Sequence, residues 1–376
     1  MVHSSPNYQA LVCNNCRYGA NALAATHCEV CGQLLEVQDS AIPSKPKRSI
    51  SFGWLGITAL TLLGIGGGLW LWKHQENVPK TASSLSTASD IQLYPSMRDV
   101  QNVPTGIFNY GGALTFASLA KSGMNDAIAQ AHPEFRLRYT EPMNNNPGSG
   151  TGITMLINGQ LSFAQSGRPL KDAEYIQAKN RGFKLEQVPV ALDGVAFFTN
   201  PGINITGLSL DQVQNIFRGK VTNWEQVGGP NIPIKVISQD PKLTSVIQVL
   251  FEGLGDATLS PDALIIRDFT TAIQTVAKTP GAISYTSASS VIGQRTVHRL
   301  GLAKAGSNQY IQVSTKDNQI NAEALRDGTY PFTRRLFVVI RRDGTLDEKA
   351  GLAYANFLLS ADGQQIVGKS GLVAIR

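Results

Sequence analysis

The sequence predicts an α/β domain over residues 104–376, carried behind one membrane-spanning helix and a small N-terminal module that uses thiols. Three observations predict it. After Pro104, short apolar runs alternate with amphipathic helical stretches, the pattern of buried sheets covered by helices. Residues 50–72 form a run of 23 residues without a charge. All four cysteines of the 376-residue chain fall within its first 31 residues.

Composition narrows the function. Hydrophobic residues make up 42% and charged residues 16%, a globular balance rather than a disordered one. The length is enough for two or three units. The net charge of +6 comes without a long Lys/Arg run, so a nucleic-acid partner is not expected. An anionic small molecule or a membrane surface fits that charge. A secreted disulfide scaffold would spread its cysteines through the fold, and this chain does not.

Residues 1–36 hold the thiols. Cys13-x2-Cys16 is followed after 11 residues by Cys28-x2-Cys31. Two such knuckles can aim four thiolates at one tetrahedral ion, and Gly32 relaxes the second turn. A structural zinc is expected, because four thiolates leave no open position for a substrate and so small a module needs the metal to fold. Iron and a pair of disulfides are the alternatives. His27 adjoins Cys28 as a bystander or a group behind the ligand. The segment resembles the zinc ribbons found at the ends of many prokaryotic membrane proteins.

A basic linker, residues 37–49, leads to the apolar run at 50–72. As a helix that run covers about 34 Å, against a bilayer core of about 30 Å. Trp54, Trp70 and Trp72 lie near its ends, where interfacial aromatics belong. It is longer than a signal-peptide core and has 49 residues before it, so an uncleaved anchor in the membrane lipid is expected. Gly64 and Gly68 form a weak helix-pairing signal. Lys45, Lys47 and Arg48 precede the span, which places the N-terminus in the cytoplasm and the C-terminal domain outside. Residues 73–103 read as a tether, with six Ser or Thr among the nine residues 81–89.

Within residues 104–376, Leu161–Ala164, Gly194–Thr199, Ile234–Ile237 and Gly281–Tyr285 read as strands. Ala117, Ala120, Met124 and Ile128 give one helical stripe. Ser209 caps a helix whose Leu210, Val213 and Phe217 face a core.

Several segments here resemble, in order, the phosphate-binding solute receptors of ABC transporters. They include Asn109-Tyr-Gly-Gly-Ala-Leu-Thr-Phe, Asn146-Pro-Gly-Ser-Gly-Thr-Gly-Ile and Ser166-Gly-Arg-Pro-Leu. The most specific is Ile216-Phe-Arg-Gly-Lys-Val-Thr-Asn-Trp. Pro280-Gly-Ala-Ile-Ser-Tyr, Tyr330-Pro-Phe-Thr-Arg and Ala355-Asn-Phe-Leu-Leu-Ser-Ala-Asp-Gly complete the set. The resemblance implies a two-lobed periplasmic-binding-protein-like domain of type II. Lobe one would span about 104–190 and 286–376, and lobe two about 191–285. The chain would cross near Pro189–Phe197 and again near Ile283–Ser287.

It also implies a cleft that holds phosphate or a related oxyanion. Gly148-Ser-Gly-Thr-Gly suits such a cleft, since the glycines admit close approach, Ser149 and Thr151 offer hydroxyls, and a helix begins there. By resemblance, Thr115, Phe116 and Ser149 fall on ligand-contacting positions, with Gly150 and Thr151 beside them. Two departures stand out. Gly167 replaces an Asp of one branch of the family, and Arg168 beside it matches a branch reading Ser-x-Arg-x-Leu. An arginine there suits a bidentate pair with an oxyanion. The second loop of the family reads Arg-x-x-Gly-Ser-Gly-Thr, whereas here Ser238 takes the Arg position and only Thr244 and Ser245 remain as donors. Lys242 is either a replacement charge or an exposed loop lysine.

No nucleophile elbow, Walker loop or His-x-x-His cluster is present, and His132 and His298 have no cysteine partner in this domain, so an enzyme is not expected. Two binding classes compete. One is a receptor in the prokaryotic plasma membrane that delivers its ligand to an ABC permease. The other is a sensor or adaptor with an altered ligand site, whose ribbon meets a cytoplasmic regulator.

Overall fold

Alternating apolar positions in the strands and apolar stripes on the helices close one structural unit, seen in a computed structural model that describes residues 90–376 apart from 144, 145 and 243. The four cysteines, the apolar run at 50–72 and the tether as far as residue 89 lie outside the described residues. Among the described residues no helix is long and apolar enough to cross a membrane.

The first body begins with β1 (Gly106–Gly112), α1 (Ala117–Lys121), α2 (Met124–Ala131) and β2 (Phe135–Tyr139). It continues through α3 (Ser149–Ile157), β3 (Phe163–Ser166), α4 (Asp172–Asn180) and β4 (Lys184–Thr199). The second body holds β5 (Gly207–Ser209), α5 (Leu210–Phe217), β6 (Lys235–Ser238), α6 (Ser245–Leu250) and β7 (Leu264–Ile265). It adds α7 (Phe269–Lys278), β8 (Ala282–Ser287), α8 (Ala288–Val291), β9 (His298–Arg299), β10 (Gly301–Ala303) and α9 (Ala322–Arg326). The chain then returns to the first body with β11 (Thr333–Arg342), α10 (Leu346–Leu359) and α11 (Ala361–Lys369).

The strands run in the order β2-β1-β3-β11-β4-β8-β6-β7, with β9 also on β4 and a separate parallel pair β5–β10. The 16-residue β4 belongs to both bodies: residues 184–194 pair antiparallel with β11, and Val195–Thr199 with β8. The register between β4 and β11 shifts between Leu336 and Phe337, opposite Ala191 and Pro189. A proline has no N–H for the ladder, so the irregularity falls where the pairing is weakest.

Side-chain alternation puts helices on both faces of the first sheet. Leu336, Val338 and Ile340 of β11 enter one core with α2 and α10, while Val339 enters another with α3 and α4. The second body has a single core that includes Phe197, Phe217, Trp224 and Tyr285. That core also takes Val297, Leu300, Val313, Leu325, Tyr330 and Phe332.

Three expectations are corrected. Residues 297–332 pack with the second body, so the return crossing lies at Phe332–Arg334 and not at Ile283–Ser287; β8 is an interior strand of lobe two, held between β4 and β6. The stripe from Ala117 to Ile128 is broken into α1 and α2, because Gly123 takes a left-handed conformation at φ 86°. The domain begins before Pro104: Met97 and Val100 are buried in the first core, and the Ala361 amide donates to the Tyr94 carbonyl at 3.0 Å. The expected helix after Ser209 is α5, where Val213 and Phe217 are fully buried.

Candidate functional site

Where the two bodies meet lies a small cavity of about 30 Å³. Lobe one contributes Thr115, from the turn after β1, and the loop Asn146–Ser149 that leads into α3. Lobe two contributes Gln239, Asp240, Thr244 and Ser245, with Ile266, Arg267 and Phe269 around them. Arg334, at the start of β11, reaches in from the crossing.

Local sequence explains the loop before α3. The first intrahelical bond runs from the Gly152 amide to the Gly148 carbonyl at 2.9 Å, so the amides of Ser149, Gly150 and Thr151 form the helix's positive end. Gly152 permits α3 to dock on β1, because a Cβ there would sit 2.5 Å from the Gly112 Cα.

Arg334 organises the centre. Its Nε and Nη2 donate to the same oxygen of Asp193, at 2.9 and 2.7 Å. Its Nη1 donates to Ser245 Oγ at 2.6 Å, and its Nη2 also to Thr115 Oγ1 at 2.8 Å. Arg334 and Asp193 are both buried. The second Asp193 oxygen accepts from the Ser287 hydroxyl. One guanidinium thus ties a lobe-one hydroxyl, a lobe-two hydroxyl and the shared strand β4.

The hydroxyls have a common orientation. Ser149 Oγ accepts from the Gly167 amide at 3.0 Å, and Thr244 Oγ1 accepts from the Val246 amide at 3.3 Å. Thr115 and Ser245 accept from Arg334. Each oxygen therefore already holds an incoming proton and can turn its own O–H into the cavity. Tyr285 lies behind them, with its hydroxyl 3.1 Å from Ser238 Oγ; burial pushes its phenol up and keeps it protonated. The charge of Arg334 is matched by Asp193, so an anion here meets oriented donors and helix amides more than net charge.

The structure brings together Thr115, Ser149, Thr244 and Ser245 of the expected site residues. It places the others elsewhere. Phe116 is buried in the first core. Gly150 faces Arg168 of its own lobe and the loop of lobe two: a Cβ there would lie 3.7 Å from both Arg168 Nη2 and the Lys242 carbonyl. The Thr151 hydroxyl turns back to the carbonyls of Gly148 and Asn146, at 3.0 and 3.2 Å, and secures the loop.

Arg168 does not line the cavity. Its two terminal nitrogens pair with both oxygens of Glu174, at 2.9 and 2.6 Å, because Glu174 stands in the first turn of α4, six residues on. The bidentate partner expected to be an oxyanion is a carboxylate of the same chain. Lys242 is exposed, and Ser238 is buried beneath the loop. His132 and His298 each bond a backbone carbonyl, of Met97 and Ile205, at 2.9 Å.

Arg334 and Asp193 were not assigned a role from sequence, although both left signals. Arg334 closes the Tyr330-Pro-Phe-Thr-Arg segment, and Asp193 is an acid inside the apolar run Val188–Phe198, where a buried charge needs a partner. Gly167 is explained by the same pair. A Cβ at 167 would lie 3.0 Å from Ser245 Oγ and 3.1 Å from Arg334 Nη1, so the arginine and Ser245 occupy the space of a larger side chain. Among the described residues no group of His, Cys, Asp and Glu is placed to hold a metal ion.

Comparison with known proteins points the same way. The phosphate-binding protein PstS of Borreliella burgdorferi is 26% identical over 268 residues, covering 68% of this chain and 89% of that protein. The protein of the same name from Staphylococcus aureus is 22% identical over 266 residues, covering 67% and 74%. A substrate-binding protein from Clostridium perfringens, solved with bound phosphate, has the same fold at a TM-score of 0.59 and 23% identity, covering 72% of this chain and 100% of that one. An ABC-type phosphate transport receptor from Vibrio cholerae aligns at a TM-score of 0.55 and 21% identity, over 71% and 99%. The family model described as the PBP superfamily domain matches residues 99–362, and with this two-lobed α/β architecture the chain belongs to that family.

Proposed function

We propose that this protein is a membrane-anchored receptor that captures inorganic phosphate and presents it for ABC-type uptake. One observation carries the reading. Four hydroxyls from two lobes, the amino end of α3 and a neutralised arginine converge on a cavity sized for a small inorganic guest. Phosphate at neutral pH offers mostly acceptor oxygens with one or two O–H groups, and this cavity offers mainly donors, with the Asp240 carboxylate in its lining. The relatives named as phosphate-binding proteins support phosphate as the anion. The same donor set weighs against the reading of an adaptor with a lost site: the second loop has no family arginine or glycines, yet Thr244 and Ser245 still reach the cavity. The reading is of a binder and not an enzyme.

Calorimetric titration of the full-length protein with phosphate, with sulfate as control, tests it. Micromolar or tighter phosphate binding is expected, weakened at least 100-fold in Arg334→Ala shown to be folded by circular dichroism. A folded wild-type protein that gives no heat with either anion sinks the reading.

The N-terminal parts complete the proposal. Residues 50–72 anchor the chain in the plasma membrane, the receptor domain lies outside, and an ABC permease is its partner. In the cytoplasm Cys13, Cys16, Cys28 and Cys31 hold one structural zinc, as four thiolates at knuckle spacing would. Elemental analysis of purified protein should then find one zinc per chain, lost in Cys13→Ser with Cys28→Ser; iron at that stoichiometry would replace the zinc assignment.

A further inference from the structure

The carboxyl ends of the parallel strands β1, β2 and β3 open on a second cavity, of about 260 Å³, inside lobe one. It shares only Ala113 and Leu114 with the anion cavity, as a common wall. Its floor is aromatic. Tyr110 of β1 and Tyr354 of α10 lie side by side with ring centroids 6.1 Å apart, Phe116 joins them in the lining, and all three are buried. Tyr139, at the end of β2, is half exposed and meets Tyr110 edge-on at 5.6 Å. From α1 come Ala117 and Ala120, both exposed, and their small side chains leave the space open.

The polar groups of this cavity come as two matched pairs. Asn125 Nδ2 donates to Tyr110 Oη at 2.8 Å, and Gln165 Nε2 donates to Tyr354 Oη at 2.7 Å. Burial pushes both phenols up, so they stay protonated. Each pair is left with a phenol O–H to give and a carboxamide oxygen to receive, and neither group has a further partner among the described residues. Turning a carboxamide over exchanges the two roles and still leaves one donor and one acceptor. Gln165 and Tyr354 are 4% and 1% exposed, so theirs lie inside the protein, where unmet polar groups are costly. No Asp, Glu, Lys, Arg or His lines the space, so a charged guest would be desolvated without a counter-charge.

We propose that this cavity binds neutral, planar aromatic carboxamides, with the ring against the tyrosines and Phe116 and the amide on the Tyr354–Gln165 pair. A carboxamide carries an acceptor oxygen and N–H donors on one carbon, which complements a phenol O–H beside a carboxamide oxygen. Aromatic walls favour a flat ring through edge and offset contacts. An apolar cavity of about 150 Å³ already holds benzene. The larger volume here takes one ring and its amide. The site is independent of the anion cavity, and either can be filled or lost without the other.

Ligand-observed NMR titration of the full-length protein with benzamide tests this, with benzoate and benzylamine as charged analogues of similar shape and inorganic phosphate titrated in the same samples. Benzamide is expected to bind with a Kd of about 1 mM or below. Each charged analogue should bind at least about tenfold more weakly. Ala120→Trp fills the exposed side of the cavity and should abolish benzamide binding while leaving phosphate unchanged. Tyr354→Phe, shown to be folded by circular dichroism, removes one donor and should weaken benzamide by about three- to tenfold. Three results overturn the proposal: no benzamide bound by folded wild-type protein, benzoate or benzylamine bound as tightly, or benzamide binding untouched by both variants. Phosphate binding in the same samples reports on the anion site separately.

Discussion

The two loops that face each other across the cavity solve one problem by different means. In lobe one, Gly148–Gly152 is a glycine-rich start to the nine-residue helix α3, and backbone amides lead toward the ligand. In lobe two, Gln239–Ser245 has Pro241 and Leu243 in the sequence where the family has glycines and opens the short helix α6, so hydroxyls supply most of the donors. A backbone site needs close approach and therefore glycine; a hydroxyl site needs an oriented oxygen and therefore a donor behind it. Arg334 supplies that donor to Ser245, and the Val246 amide supplies it to Thr244. The loss of the glycines in lobe two is thus compatible with a working site.

The comparison can be broken most forcefully at the residue both sides share. Arg334→Leu leaves Asp193 buried without its partner, which costs about 3–5 kcal/mol. Denaturant unfolding should show that loss, and anion binding should fall by more than 100-fold. A variant of wild-type stability would mean that Asp193 finds another partner and that the arginine is not central.

Next comes the lobe-one backbone. Gly152→Ala puts a methyl 2.5 Å from the Gly112 Cα, an overpacking of about 1–3 kcal/mol. Thermal unfolding should fall by about 2–4 °C per kcal/mol for a domain of this class. The equivalent test has no counterpart in lobe two, where no glycine sits in the loop.

The hydroxyls sharpen the contrast. Ser149→Ala and Thr244→Ala each remove one donor to a charged ligand, about 1.5–3 kcal/mol, or roughly 10–100-fold in affinity by calorimetry. Ser149→Ala should be the more damaging, since the buried Gly167 amide also loses its acceptor. If Thr244→Ala binds as wild type does, lobe two is a wall and not a partner.

The smallest effect is expected at Lys242→Ala. Its side chain is exposed and only its backbone is engaged, the amide with Asp240 at 2.8 Å and the carbonyl with Gln248 at 3.3 Å. Stability should stay within about 0.5 kcal/mol and affinity within about threefold. A tenfold loss of affinity would restore the lysine as a ligand charge.

Much of the first lobe's site was legible because local chemistry carries it. Gly148-Ser-Gly-Thr-Gly announces a helix start with close approach wherever it occurs, and Ser149 and Thr115 do line the cavity. The role of Arg168 was not legible. Sequence shows that an arginine is present, but Glu174 captures it only because the turn into α4 brings the two side chains together. Thr151 is similar: its hydroxyl was visible, and its backward bond to Gly148 was not.

By itself the sequence determined the alternation of strands and helices, the two thiol knuckles, the uncharged run at 50–72 and the capped start of α5. These depend on residue type and spacing along a few turns of chain, where periodicity and capping act. Only the tertiary structure decided that residues 297–332 belong to lobe two, that β4 serves both lobes, and that Arg334 rather than Arg168 holds the centre. Those outcomes turn on contacts 141 residues apart between Arg334 and Asp193, and 219 apart between Arg334 and Thr115. A buried guanidinium is placed by whichever carboxylate and hydroxyls the whole packing brings within reach, and no local pattern encodes that choice.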